Sequence, residues 1–219
     1  MEPTCTLILP CLNEGPALAG VLASVPAGLR VVVVDNGSTD DTAEVAARHG
    51  ADVVREPTPG YGAAVHAGVL AARTELVAVM DGDGSFDAAD LVPLIAEVAL
   101  GRATMAVGRR RPTGRGVWPW HARLGNRAVV AYLRLRSDFP VRDIAPIRVC
   151  RRDDLVALDV RDRRFGYPVE LMQKAVAAGW VITERDVAYH PRALGTRSKV
   201  SGSVVGTLRA TRDFAGVLR

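Results

Sequence analysis

Along the first half of the chain, apolar residues gather in short unbroken runs. Between the runs they recur every three or four positions. The runs at residues 4–9, 29–34, 51–55, 76–80 and 104–107 read as strands, and their continuous apolar character marks strands buried on both faces, as in a parallel sheet. Leu18, Val21, Leu22 and Val25 recur at helical spacing. Thr39-Asp40-Asp41-Thr42 supplies the side-chain oxygens that start a second helix. Residues 61–72 and 88–99 give two more. Strand and helix therefore alternate, which predicts an α/β fold around a mostly parallel sheet.

The second half is less regular. Residues 109–120, rich in Arg, Gly, Pro and Trp, read as a long loop, a length often tied to function. A helix is expected over 121–136, a strand over 147–150, a helix over 168–178 with proline at an early position, and one or two strands over 180–189. Residues 195–203 are polar. Residues 204–218 form a last expected helix with Val204, Leu208, Thr211, Ala215 and Leu218 on one side and Arg209, Arg212 and Asp213 on another. Such a helix rests on anionic lipid or docks on its own domain; its modest apolar face favours docking. No internal repeat interrupts the chain, so residues 1–219 are expected to form one domain.

Composition narrows the function. The net charge is +4 and the pI about 9.3, which favours anionic partners such as phosphates without implying nucleic acid. Arginine dominates the basic residues, with Lys174 and Lys199 the only lysines. Three cysteines, Cys5, Cys11 and Cys150, have no metal-site spacing, and their odd number argues against a disulfide framework. The N-terminus lacks the basic and apolar regions of a signal peptide. No apolar run approaches the ~20 residues that span a bilayer. A cytoplasmic protein is expected, at most peripheral at the inner face of the membrane.

Candidate chemistry sits where the runs end. Asp81-Gly82-Asp83 directly follows Leu76-Val77-Ala78-Val79-Met80, so both carboxylates fall at the carboxyl end of a buried strand, where open α/β sheets place ligands. One residue apart, they can share a hard divalent cation that also binds a diphosphate. Gly82 leaves room for a ligand to approach the backbone. Pro10-Cys11-Leu12-Asn13-Glu14 ends the first strand, and Asp35 and Asn36 end the second. An acid there can accept hydrogen bonds from a base or ribose; Asp40 reads instead as a helix cap. Gly60-Tyr61-Gly62-Ala63-Ala64 opens a helix whose amides at Gly62 and Ala63 can approach an anion. A Gly-Xaa-Gly-Xaa-Xaa-Gly turn after the first strand is missing, which disfavours a dinucleotide-dependent oxidoreductase.

Taken in order, residues 10–14, 34–40, 60–64 and 81–83, Gly108-Arg109, Gly166-Tyr167-Pro168-Val169-Glu170 and residues 192–199 resemble the family 2 glycosyltransferases. Within them, the pattern is similar to the dolichyl- or polyprenyl-phosphate mannose and glucose synthases. The resemblance covers nearly the whole chain. It implies a GT-A fold, a GDP- or UDP-sugar donor, Mg²⁺ or Mn²⁺, and transfer with inversion to a polyprenyl phosphate. By the same likeness, Pro10, Leu12 and Glu14 contact the nucleotide, Asp35 holds the base, and Asp81 and Asp83 hold the metal. Asn36 replaces the family's usual second Asp. Ser85 stands where the closest synthases often carry Gln near the metal. Arg109, Arg123, Arg192 and Lys199 match basic positions for donor diphosphate or acceptor phosphate. Asp143 opens Asp-Ile-Ala-Pro-Ile-Arg where the family usually reads Asp-Xaa-Xaa-Ser-Gly-Phe-Arg.

The chemistry asks for a cation at Asp81 and Asp83 and a guanidinium near the departing phosphate. A phosphate acceptor is already anionic and needs no base. A hydroxyl acceptor needs one, and Asp143 and Glu170 are the candidates; Glu170 can equally stabilise a helix dipole. Trp118 and Trp120 line an acceptor groove or pack the loop onto the core, and packing is favoured. Residues 161–164 read as a solvated face. Two competing readings stand beside the lipid-phosphate one: the same chemistry on a soluble hydroxyl acceptor, and a non-catalytic nucleotide-sugar binding module.

Overall fold

Seven strands pair into one sheet in the order β3-β2-β1-β4-β6-β5-β7. They are β1 (Cys5–Cys11), β2 (Leu29–Asp35), β3 (Asp52–Arg55), β4 (Leu76–Val79), β5 (Met105–Pro112), β6 (Ile147–Arg151) and β7 (Ile182–Tyr189). The helices are α1 (Gly15–Ala23), α2 (Thr42–Arg48), α3 (Tyr61–Ala71), α4 (Leu91–Ala99), α5 (Trp120–Arg136), α6 (Arg152–Ala157) and α7 (Tyr167–Ala177). The computed structural model describes residues 4–137 and 139–193; the expected polar segment and last helix, and Lys199, lie outside them.

Strands β1 to β4 pair in parallel, as their apolar runs predict. Successive side chains of β1 enter opposite cores. Leu7 and Leu9 join Leu18, Val33, Leu91 and Leu94 on one face, and Ile8 joins Val34, Val65, Val77 and Met172 on the other. With both faces covered, a strand cannot alternate apolar and polar residues, which is why these runs are unbroken. Strand β6 runs antiparallel between β4 and β5. Strand β7 then adds to β5 in parallel over eight residue pairs, from Met105↔Ile182 to Pro112↔Tyr189.

That last pairing corrects one expectation. Arg109, Arg110 and Arg111 continue β5 and do not begin a loop. Their composition is loop-like, but β7 offers a full-length partner strand, and Asp186 of β7 takes ion pairs from both Arg109 and Arg111 at 2.6 and 2.7 Å. Tertiary pairing overrides local propensity here. The short helix α6 was not foreseen in sequence; Asp153 and Asp154 occupy its first turn, where acids favour a helix start. Asp40 caps as expected: it accepts the amides of Thr42 at 3.1 Å and Gly15 at 3.2 Å, tying the starts of α2 and α1 together. Burial works to raise its carboxyl, but a hydrogen bond from the Thr42 hydroxyl and these two from the amides outweigh it and hold the group below its ordinary value.

Candidate active site

Strands β1 and β4 are neighbours whose onward connections run toward opposite edges of the sheet. The carboxyl ends of such strands are the usual ligand position in open α/β sheets. Asp81 and Asp83 follow β4, Pro10 to Glu14 surround the end of β1, and Asp35 closes β2. Because β6 is antiparallel, its first residues reach the same end: Arg148 lies opposite Val79 of β4.

Asp83 is 4% exposed. Its Oδ1 accepts the amide of Ser85 at 3.0 Å and the Ser85 hydroxyl. Its Oδ2 meets Arg192 Nε at 2.7 Å. Burial, and then the charge of Asp83, push the Asp81 carboxyl up to about 6, against the pull of Arg192, Arg148 and Arg110. Arg148 is buried; its Nη2 donates to Ile144 O at 3.0 Å, while Nε and Nη1 have no hydrogen-bond partner among the described residues. Two crowded carboxylates with guanidinium groups around them fit a hard divalent cation that completes its ligands with substrate phosphates and water. Among the described residues, no group of three or more His, Cys, Asp or Glu could hold a metal by itself.

Several expected residues stand elsewhere in the chemistry. Arg109 is spent on Asp186, with Glu184 at 3.7 Å. Arg110, one residue along and so on the opposite face of the strand, is the arginine whose charge reaches Asp81. Asp143 is 1% exposed. It accepts four donors: Arg110 N at 3.0 Å, Nε at 2.9 Å and Nη2 at 2.6 Å, and Ala145 N at 3.3 Å. A carboxylate offers about four lone-pair sites, so those of Asp143 are taken up by donors of the fold. Glu170 is engaged in the same way. Its oxygens accept Arg161 N at 2.9 Å and Asp162 N at 2.6 Å, with Lys174 Nζ at 3.1 Å. Burial raises its carboxyl, but those donors prevail and hold it below its ordinary value.

The amides of Gly62 and Ala63 do not await an anion. They donate to the carbonyls of Arg164 at 3.2 Å and Arg163 at 2.8 Å. Segment 161–164 is thus a plug over the start of α3 and more than a solvated face. A Cβ on Gly62 would lie 2.5 Å from Asp162 O and 2.8 Å from Tyr167 Cβ; glycine is required by packing. Gly82 likewise serves packing, since a Cβ there would lie 2.6 Å from Cys11 Sγ. Asn36 is also absorbed by the fold: its Nδ2 donates to Glu56 O at 2.9 Å and Thr58 O at 2.8 Å, and its Oδ1 accepts Gly60 N at 2.8 Å. An aspartate would set negative oxygens against those two carbonyls, which accounts for the departure from the family pattern at this position.

Of the remaining expected residues, Asp35 is half-buried at the rim and accepts Ser38 N at 2.9 Å. Pro10 and Leu12 are half-buried beside it. Glu14 is buried and adds to the negative field of Asp83 and Asp81 that keeps Arg192 charged against its desolvation. Arg123 is exposed on α5. It lines an open depression of about 390 Å³ with Pro112, Gly114, Arg115, Gly116 and Trp118. Trp118 packs as favoured above, its ring 4.0 Å from the Arg110 guanidinium and edge-on to Tyr189, but Trp120 does not and is exposed. Sequence reasoning missed Arg110 and Arg148. For Arg110 a signal was present, alternation along β5 carried past Gly108; for Arg148, second in β6, none was.

The sequence model of glycosyl transferase family 2 matches residues 6–155, and the chain belongs to that family. It is 58% identical over 213 residues to an uncharacterised glycosyltransferase of Mycobacterium tuberculosis, covering 97% of each. It is 29% identical over 198 residues to a dolichyl-phosphate hexose transferase of Haloferax volcanii, covering 87% of this chain and 85% of that protein. Its fold matches the crystal structure of glucosyl-3-phosphoglycerate synthase from M. tuberculosis in complex with Mn²⁺, UDP and glucosyl-3-phosphoglycerate. The TM-score is 0.74 at 22% identity, over 98% of this chain and 78% of that one. The fold is therefore GT-A, and the chain is a glycosyltransferase.

Proposed function

We propose that this family 2 glycosyltransferase moves a hexose, with inversion, from a GDP- or UDP-sugar to a polyprenyl phosphate. The observation that carries this reading is the paired carboxylates at the β4 tip with Arg110, Arg148 and Arg192 around them. Asp81 and Asp83 would hold Mg²⁺ or Mn²⁺, which neutralises charge on the departing diphosphate. Ser85 fixes the rotamer of Asp83. Asp35 accepts from the base or ribose, and Glu14 borders the same crevice. Arg192 moves from Asp83 to phosphate oxygens once donor is in place. The acceptor phosphate oxygen attacks the anomeric carbon as the bond to the diphosphate oxygen breaks and that oxygen keeps the electron pair. Both carboxylates nominated as bases are engaged by donors of the fold, which supports an acceptor that needs no deprotonation. Kinship to the dolichyl-phosphate hexose transferase adds to it.

A second reading, a soluble phosphorylated acceptor, is favoured by the likeness to the synthase solved with glucosyl-3-phosphoglycerate. Incubating the chain with labelled GDP- or UDP-hexose, Mg²⁺ or Mn²⁺, and either a short polyprenyl phosphate or phosphoglycerate separates the two. Label in the organic phase is expected, lost at least ~10²-fold in Asp83→Ala, as removal of a major transition-state charge partner implies. Product only on phosphoglycerate selects the second reading, and full activity in chelator rules out the metal.

A further inference from the structure

Helix α5 is amphipathic twice over. Its inner side puts Val130 and Leu133 into the core. Its outer side carries a second apolar stripe that stays exposed: Trp120 is 75% exposed, Leu124 58% and Leu135 86%, with exposed Ala128 and Ala131 between them. At 3.6 residues per turn these five fall within an arc of about 80° and run about 22 Å along the axis. Exposed arginines border the stripe, Arg123, Arg127 and Arg134 on one side and Arg136 on the other, with His121 beside it. The helix contains no Asp or Glu.

We propose that this face of α5 is the surface by which the protein lies on an anionic lipid bilayer. A basic amphipathic helix with Trp and Leu on its apolar side seats at the headgroup boundary, and its arginines meet lipid phosphates. Charge selects this occupant over a second copy of the chain, because two such faces meeting would oppose like charges across a symmetric contact. The apolar stripe selects it over nucleic acid, which calls for cations without a greasy centre. Among the described residues no helix is long and apolar enough to cross a membrane, so the contact is peripheral. The helix is also tied to the crevice. Asn126 Oδ1 accepts Ile144 N at 3.0 Å and Arg110 Nη2 at 3.4 Å, and Arg110 is one of three arginines whose charge acts on Asp81, after Arg192 and Arg148. A bilayer under α5 would thus lie beside the mouth of the site. This deepens the lipid-acceptor reading, but its test uses neither donor nor acceptor, so the two can fail separately.

The experiment is vesicle flotation of the full chain, with phosphatidylglycerol–phosphatidylcholine against pure phosphatidylcholine, and the variants Leu124→Gln/Leu135→Gln and Arg127→Gln/Arg134→Gln. All four positions are exposed, and thermal unfolding verifies each variant's fold. Partition at least about 10-fold stronger into anionic vesicles is expected, falling by about 10-fold or more in each double variant. No partition, equal partition into both vesicle types, or partition untouched by the substitutions overturns the proposal. So does a dimer in gel filtration that dissociates in Leu124→Gln/Leu135→Gln without any vesicle binding, which assigns the face to self-association.

Discussion

Asp143→Asn separates a structural counter-ion from a catalytic base. The carboxylate is almost fully buried and accepts three hydrogen bonds from Arg110 and one from Ala145. The Arg110 side chain is itself only 19% exposed. Asparagine keeps the shape, but it removes the charge and turns an NH₂ group toward a guanidinium that can only donate. Breaking a buried pair from one side costs about 3–5 kcal/mol. Retained shape places the expected loss near the lower bound, about 3 kcal/mol. For a chain of this size that corresponds to a fall of about 6–12 °C in Tm. Thermal unfolding, with urea unfolding followed by tryptophan fluorescence, reads the stability. Turnover is measured well below the new Tm. A general base is worth ~10²–10⁴ in rate, so turnover that stays within about 10-fold, with an unchanged pH–rate profile, marks a structural role. Arg110→Met should cost a similar amount, and Arg110→Met/Asp143→Leu should recover part of it, because no charge is then left buried. Wild-type stability in Asp143→Asn together with a ~10²-fold loss of turnover would refute the reasoning and return Asp143 to the role of base.

Asp81, raised to about 6 in the fold, disfavours the folded state once ionised: its contribution is favourable below its unfolded value and is lost as pH rises through about 6. Asp81→Asn should therefore stabilise the chelator-treated protein near pH 8 by up to about 3 kcal/mol and change little below about pH 4, whereas a pH-independent effect contradicts the cause. Arg192 pairs with Asp83 at 2.7 Å, so Arg192→Ala should tighten Mn²⁺ binding about 10-fold, or about 1.4 kcal/mol, while transfer falls; an unchanged Mn²⁺ Kd by calorimetry argues against the competition. Gly62→Ala forces a Cβ against the backbone of Asp162 and should cost about 1–3 kcal/mol, but Gly20→Ala, with nothing within 4 Å, should gain about 0.5–1 kcal/mol. Equal Tm values for these two variants would count against close packing of segment 161–164 on α3.

The fold was legible in its first half because burial on both faces leaves a strand no polar option; β1, β2 and β4 are written as apolar runs and little else could occupy them. The paired acids were legible for a related reason. Asp81 and Asp83 follow a buried run, and a run that ends in two carboxylates has one end facing water and ligand. The cations were harder to read because a charged residue does not announce its partner. Arg109 and Arg110 are adjacent in sequence and identical in chemistry. Only the β5–β7 register, which sets Asp186 beside Arg109, sends one to a lateral ion pair and the other toward Asp81. Arg148 reaches the site only because β6 runs antiparallel, a fact of topology that no local pattern encodes. Asn36, Gly62 and Gly82 looked like ligand contacts for the opposite reason: residues that close a loop tightly and residues that receive a ligand are drawn from the same small and polar set. What distinguishes them is whether their donors and acceptors are already used by the chain. In this protein they are, which under the proposed function leaves ligand recognition to the crowded carboxylates of Asp81 and Asp83 and to Arg148 behind them, whose Nε and Nη1 have no hydrogen-bond partner among the described residues.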